Sequence, residues 1–452
     1  MGIKTIFITS LNPFTTRNIL FSNAFDILSS KPDLRLVIFC PNYKKEYFKK
    51  NFHKKNVIIE GVETGRTDRQ DTLFSYLSRS VISTATLAIH RKEIFLRNKN
   101  FFAFLVSYFL AFIGRLNLIK KVIRFFDFLT VSKNKFIVYF DKYSPDLVFA
   151  TDIFHVDDVH FLAEAKNRRI STIGMVRSWD NITNKGLFRV KPDYLIVNNL
   201  VIKDEVLQYE DMDKKNILAV GMPQFDCYSA MSRQSRLDFF QSLDLDPNKR
   251  TIFLAPHGSR FYKDDWQLLE IIKDLPYQFI VRLPPNDMVD LSKFVSTPNF
   301  FIEHPGKDFE KGTTNRDREM SPKDSLRLAD ELFHSDLVIN YGSTITIDAA
   351  FFDKPIIIVA FDGFDDYGKK PYLQSVRRFL DFTHIKKMLK TGCCRIAKNK
   401  EDLVKYIEAY LADPWLDKED RDRLVADQVG VKDAGSGKRI ADFVLNVLNL
   451  NL

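Results

Sequence analysis

Short, continuous apolar runs bounded by polar residues recur along the whole chain. Runs of this kind are typical of strands in a parallel sheet that is covered on both faces. Segments with apolar residues at helical spacing lie between them, for example 157–168, 326–334 and 402–411. This alternation predicts an α/β, doubly wound fold. The predicted strands are 5–9, 34–39, 57–60, 146–150, 171–176, 194–197 and 217–220 in the first half, then 251–255, 277–282, 299–303, 337–340 and 355–360.

The alternation restarts near the middle of the chain, after Gly221-Met222-Pro223. We therefore predict two Rossmann-like domains, an N-terminal acceptor domain over 1–225 and a nucleotide-donor domain over 251–427. Residues 226–250 are expected to link them. The apolar stretch within 428–452 predicts a C-terminal helix that packs back on a domain.

The first domain contains more chain than a Rossmann series needs, and we predict a helical insertion at about 70–140. Within it, Phe101–Ile113 is apolar on every face, and 116–129 is amphipathic with Lys120, Lys121 and Arg124 on its polar side. This combination resembles an interfacial membrane anchor, in which the three cations would meet anionic lipids. The alternative is a helical insertion packed on the sheet or on a second subunit.

Composition limits the class of protein. Hydrophobic residues make up 45% of the 452 residues and charged residues 28%, which fits a globular chain and not a disordered one. The longest apolar run falls short of the roughly 18–20 residues of a membrane-spanning helix. The four cysteines form no metal-binding or disulfide spacing, so a reducing, cytoplasmic setting is expected. The net charge of +9 comes without a nucleic-acid-binding motif, so no nucleic acid partner is predicted.

The first candidate site follows strand 337–340. Gly342, Ser343 and Thr344 form a turn that opens a helix, and Asp348 lies one helical turn further on. Such a turn offers backbone N–H groups and hydroxyls to a phosphate, with the carboxylate at the distance of a ribose hydroxyl. The alternative is an ordinary capped strand–turn–helix.

Two neighbouring strand ends add polar groups to the same crevice. His257, Gly258, Ser259 and Arg260 follow strand 251–255, and Arg282 ends strand 277–282. Cationic and imidazole groups suit a diphosphate whose negative charge grows as a bond breaks. The alternatives are a salt bridge within the fold for Arg282 and a satisfied loop histidine for His257.

This second-half pattern resembles the GT-B glycosyltransferase superfamily. The similarity extends to CDP-glycerol/CDP-ribitol polymer transferases, capsule and surface-polysaccharide transferases and UDP-GlcNAc 2-epimerases. It is carried by ADELFHSDLVINYGSTITIDAAFFDKPIIIV (329–359) and VRLPPND (281–287), with Asp353 where the family has Gly and Pro284 where His is common. The resemblance implies that Gly342, Ser343 and Thr344 hold the donor diphosphate and that Asp348 holds the ribose. It implies a UDP, CDP or GDP donor as substrate, with no cofactor and no metal; the carboxylates Asp362, Asp365 and Asp366 are expected in a solvated loop.

The first half offers candidates for proton removal from an acceptor hydroxyl. GMVRSWDNITNKG (174–186) is similar to the acceptor-domain ends of surface-polysaccharide transferases. Asp152, His155 and Asp180 follow two strands and carry the groups that general-base catalysis needs. The alternative is that Asp152 and Asp180 cap a helix and a turn.

Together these features predict a cytoplasmic, peripheral membrane glycosyltransferase of GT-B architecture. It would transfer a sugar or polyol-phosphate unit from a nucleotide-activated donor to a surface-glycan acceptor, including a lipid-linked one. The alternatives are a nucleotide-sugar 2-epimerase of the same fold and a non-catalytic nucleotide- or glycan-binding protein.

Overall fold

The computed structural model describes residues 2–65, 67–230, 233–309 and 317–449, which form two compact units. Unit 1 comprises the chain up to Asp226 together with the segment from Val431 onward, and unit 2 is Cys227–Gly430. Residues 231–232 of the predicted linker, 310–316 of the predicted donor domain and 450–452 of the predicted C-terminal helix lie outside the described residues.

The described residues of unit 1 form a seven-stranded sheet in which every pairing is parallel. The spatial order is β3-β2-β1-β4-β5-β6-β7, so the order reverses between β1 and β4. The strands are β1 Lys4–Thr9, β2 Leu34–Pro41, β3 Val57–Val62, β4 Leu147–Ala150, β5 Ser171–Met175, β6 Tyr194–Val197 and β7 Ile217–Ala219.

Helices surround this sheet, and a group of them between β3 and β4 forms the insertion. The helices are α1 Pro13–Thr15, α2 Asn23–Ser29, α3 Lys45–Phe52, α4 Arg69–Ser80, α5 Ala85–Asn98, α6 Phe101–Ile113, α7 Asn117–Thr130, α8 Ile137–Tyr143, α9 Val156–Asn167, α10 Asn181–Lys185 and α11 Leu200–Tyr209.

The two faces of the unit 1 sheet bury alternate residues of the same strand. Ile6 and Ile8 of β1 belong to a cluster that includes Ile440 and Val444 near the end of the chain. Phe7, between them, belongs to a cluster on the other face. This period of two explains why the strands read as continuous apolar runs, because both faces are covered.

Unit 2 repeats the arrangement with a six-stranded parallel sheet in the order β10-β9-β8-β13-β14-β15. Its strands are β8 Thr251–Leu254, β9 Gln278–Arg282, β10 Phe300–Glu303, β13 Leu337–Asn340, β14 Ile356–Val359 and β15 Arg395–Ala397, and β11 Lys307–Asp308 pairs antiparallel with β12 Arg318–Glu319. The remaining helices are α12 Pro223–Ala230, α13 Arg236–Gln241, α14 Asp265–Ile272, α15 Pro322–His334, α16 Ile345–Phe351, α17 Thr383–Leu389, α18 Lys400–Ala412, α19 Lys418–Gln428 and α20 Ser436–Val447.

The predicted α/β, doubly wound class is confirmed, with local differences. Strand β15 was not predicted, because only one of its three residues is buried and no apolar run marks it. Helices α12 and α13 occupy part of 226–250, which was expected as a linker. Helix α20 belongs to unit 1 and packs on α2, where Gly437 lies so close that a Cβ would be 3.0 Å from the Ala24 amide nitrogen.

Helix α7 lies with its charged side inward, which corrects one expectation. Lys120 and Arg124 are buried, and Arg124 Nη2 lies 2.6 Å from Glu210 Oε2. Lys121 is exposed and lies 3.5 Å from Asp211 Oδ2. The prediction that all three cations meet lipid is therefore wrong for Lys120 and Arg124.

Within the described ranges, no single helix has the length and apolar character to cross a bilayer. Helices α6 and α7 together would meet that test by length and composition, but they are bent by 118° where they join.

Candidate functional site

The reversal of strand order in unit 2 lies between β8 and β13, which are hydrogen-bonded neighbours. In sheets of this kind, ligands bind outside the carboxyl ends of the strands at such a point. The residues that follow β8 and β13 include the predicted His257–Ser259 and Gly342–Thr344 segments. The topology therefore brings both predicted turns to one edge of the sheet.

The turn after β13 is organised by Asn340. Its Oδ1 atom accepts hydrogen bonds from the N–H groups of Gly342 at 2.6 Å and Ser343 at 3.1 Å, and from Thr346 Oγ1 at 3.0 Å. Gly342 has φ of 81°, a left-handed conformation that favours glycine. Because two backbone N–H groups of the turn point inward to Asn340, the expectation that they are free for a phosphate is wrong.

The turn after β8 is held by two carboxylates. The N–H groups of His257 and Gly258 donate to Asp265 at 3.0 and 2.9 Å, and the Arg260 N–H donates to Asp287 at 2.9 Å. Gly258 has φ of 94°, and a Cβ there would lie 2.7 Å from Asp287 Oδ2. Burial raises the pKa of Asp265 to about 6, although the two N–H bonds oppose that shift. The side chain of Arg260 is exposed.

Several buried polar atoms at the end of β13 and in the segments after β8, β13 and β14 have no hydrogen-bond partner within the described residues. Such atoms are uncommon in folded proteins, and each one asks for an explanation. The rings of Tyr262 and Tyr341 lie 5.8 Å apart, and those of His257 and Tyr341 lie 5.6 Å apart. The unpartnered atoms are His257 Nε2, Tyr262 OH, Asn340 Nδ2, Tyr341 OH and Asp362 Oδ2. We call these five residues the polar cluster of unit 2.

The electrostatics favour the uncharged forms of three members of the polar cluster, His257, Tyr262 and Tyr341. Burial, followed by the charge of Arg378, lowers the pKa of His257 to about 3, so its imidazole is neutral at pH 7. Burial and nearby carboxylates raise the pKa of both Tyr262 and Tyr341, so both hydroxyls keep their protons. The cluster can therefore donate and accept hydrogen bonds without carrying a positive charge of its own.

Asp348 and Arg282 lie inside unit 2, each with an internal partner. Asp348 is buried, and its Oδ1 atom accepts a hydrogen bond from the Tyr228 hydroxyl at 2.8 Å. Arg282 Nη1 lies 2.7 Å from Glu331 Oε2 and also contacts Glu303. Arg282 therefore forms the salt bridge within the fold that was its alternative interpretation. The ribose role of Asp348 stays a prediction.

The loop after β14 differs from its expected solvated form. Asp362 is fully buried, and its Oδ1 atom accepts the Val376 N–H at 2.8 Å, while Asp366 is exposed. In the part of the chain that the structure describes, no group of three or more His, Cys, Asp or Glu side chains has the arrangement of a metal site.

In unit 1 the predicted Asp152 and His155 follow β4, beside the reversal of strand order. Asp152 is buried, and its Oδ2 atom lies 2.8 Å from Arg177 Nε. Burial opposes ionisation of Asp152, but the charges of Arg177 and Lys185, with the Arg177 hydrogen bond, outweigh it and hold the pKa of this carboxyl below its usual value. Asp152 is therefore an ionised, ion-paired group and a weak base.

His155 lies among acidic side chains of α9. Its Nδ1 atom is 3.5 Å from Asp158 Oδ2 and 3.8 Å from Asp157 Oδ2, and it makes no hydrogen bond within the described residues. Burial lowers the pKa of His155, while burial raises that of Asp158 well above its usual range. The imidazole of His155 is therefore uncharged near neutral pH, and burial favours the protonated form of the neighbouring Asp158 carboxyl.

Asp180 lies at the N-cap position of α10 but makes no capping hydrogen bond, and its side chain bonds to other side chains instead. Its Oδ2 atom accepts from Asn184 Nδ2 at 3.1 Å. Lys185, at the end of this helix, interacts electrostatically with Asp152, Arg177 and Asp180, and burial lowers its pKa. The structure thus brings the two predicted aspartates around one lysine.

Arg177, Tyr262 and Tyr341 are site residues that the sequence pattern did not single out. Tyr341 comes directly after β13 and Arg177 two residues after β5, and this position at a strand end is the signal that would have found them.

Solved structures share the fold at low sequence identity. The S. aureus MnaA–UDP co-structure matches with a TM-score of 0.55 and 10% identity, over 99% of this chain and 98% of that chain. Sucrose-phosphate synthase from Thermosynechococcus elongatus matches with a TM-score of 0.51 and 10% identity, over 99% of both chains. UDP-GlcNAc 2-epimerase from Neisseria meningitidis bound to UDP-GlcNAc matches with a TM-score of 0.51 and 12% identity, over 99% of this chain and 100% of that chain. These matches confirm the predicted GT-B architecture.

Sequence comparison narrows the family further. None of the curated proteins matches the chain. A family model described as CDP-Glycerol:Poly(glycerophosphate) glycerophosphotransferase matches residues 177–446, more than half of the 452 residues. This match confirms the predicted transferase and favours it over the epimerase alternative. The chain therefore belongs to the CDP-glycerol:poly(glycerophosphate) glycerophosphotransferase family.

Proposed function

We propose that this protein transfers a polyol phosphate of the glycerophosphate class from a nucleotide-activated donor to a hydroxyl of a surface-glycan acceptor. The family description names CDP-glycerol and poly(glycerophosphate). The observation that carries the proposal is the polar cluster of unit 2, with its unpartnered buried atoms at the point of strand reversal. Leaving such an atom unpaired costs about 1–3 kcal/mol, which a bound ligand would recover.

Unit 2 supplies the donor site in this proposal. The hydroxyls of Tyr262 and Tyr341 and the neutral imidazole of His257 would hydrogen-bond the donor, and the Ser343 hydroxyl would contact its phosphates. Asp348 remains the candidate for the ribose, and Arg260 is the exposed cation beside the turn after β8. The cytosine of the family description is the base we expect, with uracil and guanine as alternatives to be tested.

Unit 1 supplies the proton acceptor. The acceptor hydroxyl oxygen attacks the phosphorus that bears the polyol, forming a new P–O bond. The bridging P–O bond breaks, and the nucleotide leaves as a monophosphate with the bonding electron pair. The hydroxyl proton passes to His155, whose imidazolium the Asp157 carboxylate, 3.8 Å from Nδ1, would stabilise. Asp152 and Asp180 are weaker candidates because other side chains already bond to them.

The released nucleotide tests this proposal. Polyol-phosphate transfer releases a nucleoside monophosphate, sugar transfer releases a diphosphate, and epimerisation returns an epimeric donor. We expect CMP from CDP-glycerol and a polymeric glycerophosphate acceptor, measured by ³¹P NMR and chromatography. Diphosphate release from a nucleotide sugar would replace the proposal with sugar transfer.

Nucleotide binding is measured separately, by thermal stabilisation with CDP, UDP and GDP. A ligand at 100 times its Kd stabilises the folded protein by about 2.7 kcal/mol. If none of the three nucleotides stabilises the protein, the non-catalytic binding-protein alternative without a nucleotide site is favoured.

A further inference from the structure

Helices α6 and α7 each expose a stripe of large apolar side chains. On α6 the stripe is Phe101, Phe102, Leu105, Tyr108, Phe109 and Phe112. On α7 it is Leu118, Val122, Phe125, Phe126 and Leu129. Both sets recur at three- and four-residue intervals, so each occupies one side of its helix. We call the two stripes together the apolar face.

The opposite sides of the two helices meet one small core. Leu110 of α6 and Ile119 and Ile123 of α7 pack against a cluster that contains Val81 and Leu87. The helices turn at Gly114, where a Cβ would lie 2.1 Å from the Val81 carbonyl oxygen. Because both inner sides rest on the same cluster, both stripes point away from the interior of unit 1.

Buried ion pairs hold α7 in this orientation. Arg124 donates to the Phe188 carbonyl at 2.9 Å and pairs with Glu210, and Asp127 pairs with Arg189 at 2.8 Å. A helix of a soluble protein ordinarily turns its charges to water and its phenylalanines inward. Here the arrangement is reversed, and rotating the helix would break both ion pairs.

The charged side chains of residues 94–126 are all cationic, and one of them, Lys121, lies 3.5 Å from Asp211 Oδ2. Residues 94–126 contain no Asp or Glu. Arg97 and Lys99 precede α6, Arg115 lies at the bend, and Lys121 lies on α7; all four are exposed. An apolar surface with a cationic rim is complementary to the headgroups and acyl chains of an anionic bilayer.

We propose that the apolar face docks on the surface of a bilayer that contains anionic lipid. A second copy of this chain is a poorer occupant, because a two-fold interface would bring the cationic rims of both copies together. A spanning arrangement is also poorer, because α6 has 13 residues and is about 20 Å long, against a hydrocarbon core of about 30 Å. The α6–α7 pair therefore lies in the interface with its phenylalanines below the headgroups.

This inference goes beyond the proposed transferase function and needs neither donor nor acceptor. Bilayer binding can fail while transfer from CDP-glycerol to a soluble acceptor succeeds, and the reverse also holds.

The test is flotation of the full chain with vesicles of phosphatidylcholine, alone or mixed with an equal part of phosphatidylglycerol. We expect binding to the mixed vesicles that weakens with added salt. The paired change Phe102→Ser and Phe112→Ser should lower the partition coefficient about 100-fold, since each buried phenylalanine contributes about tenfold. These side chains are 78% and 68% exposed, so their replacement should leave the fold intact.

The matched control is the paired change Val295→Ser and Trp415→Ser, at side chains of unit 2 that are 79% and 69% exposed. It should leave vesicle binding unchanged. Arg97→Glu with Lys99→Glu should lower binding to the mixed vesicles by at least about fivefold per residue. If the α6 pair fails to fold by circular dichroism, Leu118→Ser with Phe125→Ser on α7 replaces it.

Absence of binding to the mixed vesicles overturns the proposal. The proposal is also overturned if the Phe102→Ser/Phe112→Ser variant and the Val295→Ser/Trp415→Ser control lose vesicle binding to the same extent. A third outcome is a protein that does not bind vesicles but forms a stable dimer in sedimentation equilibrium. If the Phe102→Ser/Phe112→Ser variant is then monomeric, the apolar face belongs to an interface with a second copy of this chain.

Discussion

Arg189 and Asp127 form a two-point ion pair, with Nε 2.8 Å from Oδ2 and Nη2 2.9 Å from Oδ1. Both side chains are buried, and Arg189 also donates to Asp71 Oδ1 at 2.8 Å. The pair ties α7 to the loop before β6, and with Arg124–Glu210 it decides which side of α7 faces solvent.

Asp127→Ala is expected to lower the free energy of unfolding by about 3–5 kcal/mol, because it leaves a buried guanidinium with only part of its charge balanced. Urea denaturation measures this value. The control is Lys4→Ala, which removes an ion pair to Asp146 whose two side chains are 43% and 31% exposed. That pair should contribute no more than about 1 kcal/mol, and equal effects of the two changes would contradict the assignment.

Tyr341→Phe is expected to weaken nucleotide binding about fivefold without destabilising the protein, because the hydroxyl has no internal partner to lose. Tyr410→Phe is the matched control, since its hydroxyl donates to Asp417 Oδ2 at 2.6 Å. The control should cost about 1 kcal/mol of stability and leave nucleotide affinity unchanged. Nucleotide titration and urea denaturation of both variants separate these outcomes, and a destabilised Tyr341→Phe with unchanged affinity would make that hydroxyl structural.

His155→Ala is expected to lower kcat between about 100- and 10,000-fold, with little change in donor Kd, because the imidazole acts on the acceptor proton. His53→Ala, at an exposed position after α3, is the control and should leave both values unchanged. Steady-state turnover and donor titration give the two quantities. A parallel loss of turnover and of stability in urea denaturation would mean that His155 supports the fold of unit 1 instead.

His257→Phe is expected to reduce the loss of stability on acidification. The pKa of His257 is about 3 in the folded protein, and that of an unfolded histidine is about 6.5. Between these values the unfolded chain binds more protons, so the contribution of His257 to stability falls as pH falls, by up to about 1.4 kcal/mol per pH unit.

The contribution of Asp265 to stability changes with pH in the opposite direction. Its pKa of about 6 in the folded protein lies above its unfolded value, so this contribution falls as pH rises through that window. The comparison of the protein with His257→Phe isolates the imidazole, using urea denaturation from pH 7 to 4. If the free energies of unfolding of the two proteins change with pH in parallel, His257 takes up its proton in the folded state.

Arg282→Ala is expected to destabilise the protein by about 1–3 kcal/mol, because it removes the hydrogen-bond donor to the buried Glu331 carboxyl. Burial already raises the pKa of Glu331 to about 8, with the charge of Arg282 opposing that shift. Adding Glu331→Gln to Arg282→Ala should recover part of the loss, as measured by urea denaturation. A fully stable Arg282→Ala with reduced turnover would instead restore the diphosphate role first predicted for this arginine.

Much of the architecture follows from local sequence. The strands of both sheets appear as apolar runs because parallel strands covered on two faces need apolar residues at consecutive positions. The limits of α6 and the positions of the turns after β8 and β13 are likewise determined by residues that are close together in the sequence. The resemblance to GT-B transferases rested on two short segments, 329–359 and 281–287.

The state of each polar side chain in the site needed the tertiary structure. Arg282 finds Glu331 at a separation of 49 residues, and Tyr228 reaches Asp348 across 120 residues. Whether a tyrosine hydroxyl such as that of Tyr341 is bonded or unpartnered depends on contacts of this range. No pattern of spacing along the chain distinguishes the two cases.

The orientation of α7 shows the same division. Its sequence determines that one side is apolar and the other charged, since residues three and four apart share a side of a helix. It does not determine which side is buried. That choice was made by Glu210 and Arg189, which lie 86 and 62 residues away from their partners Arg124 and Asp127. Burying a charge is costly unless a specific partner is in place, and only the folded chain brings those partners together.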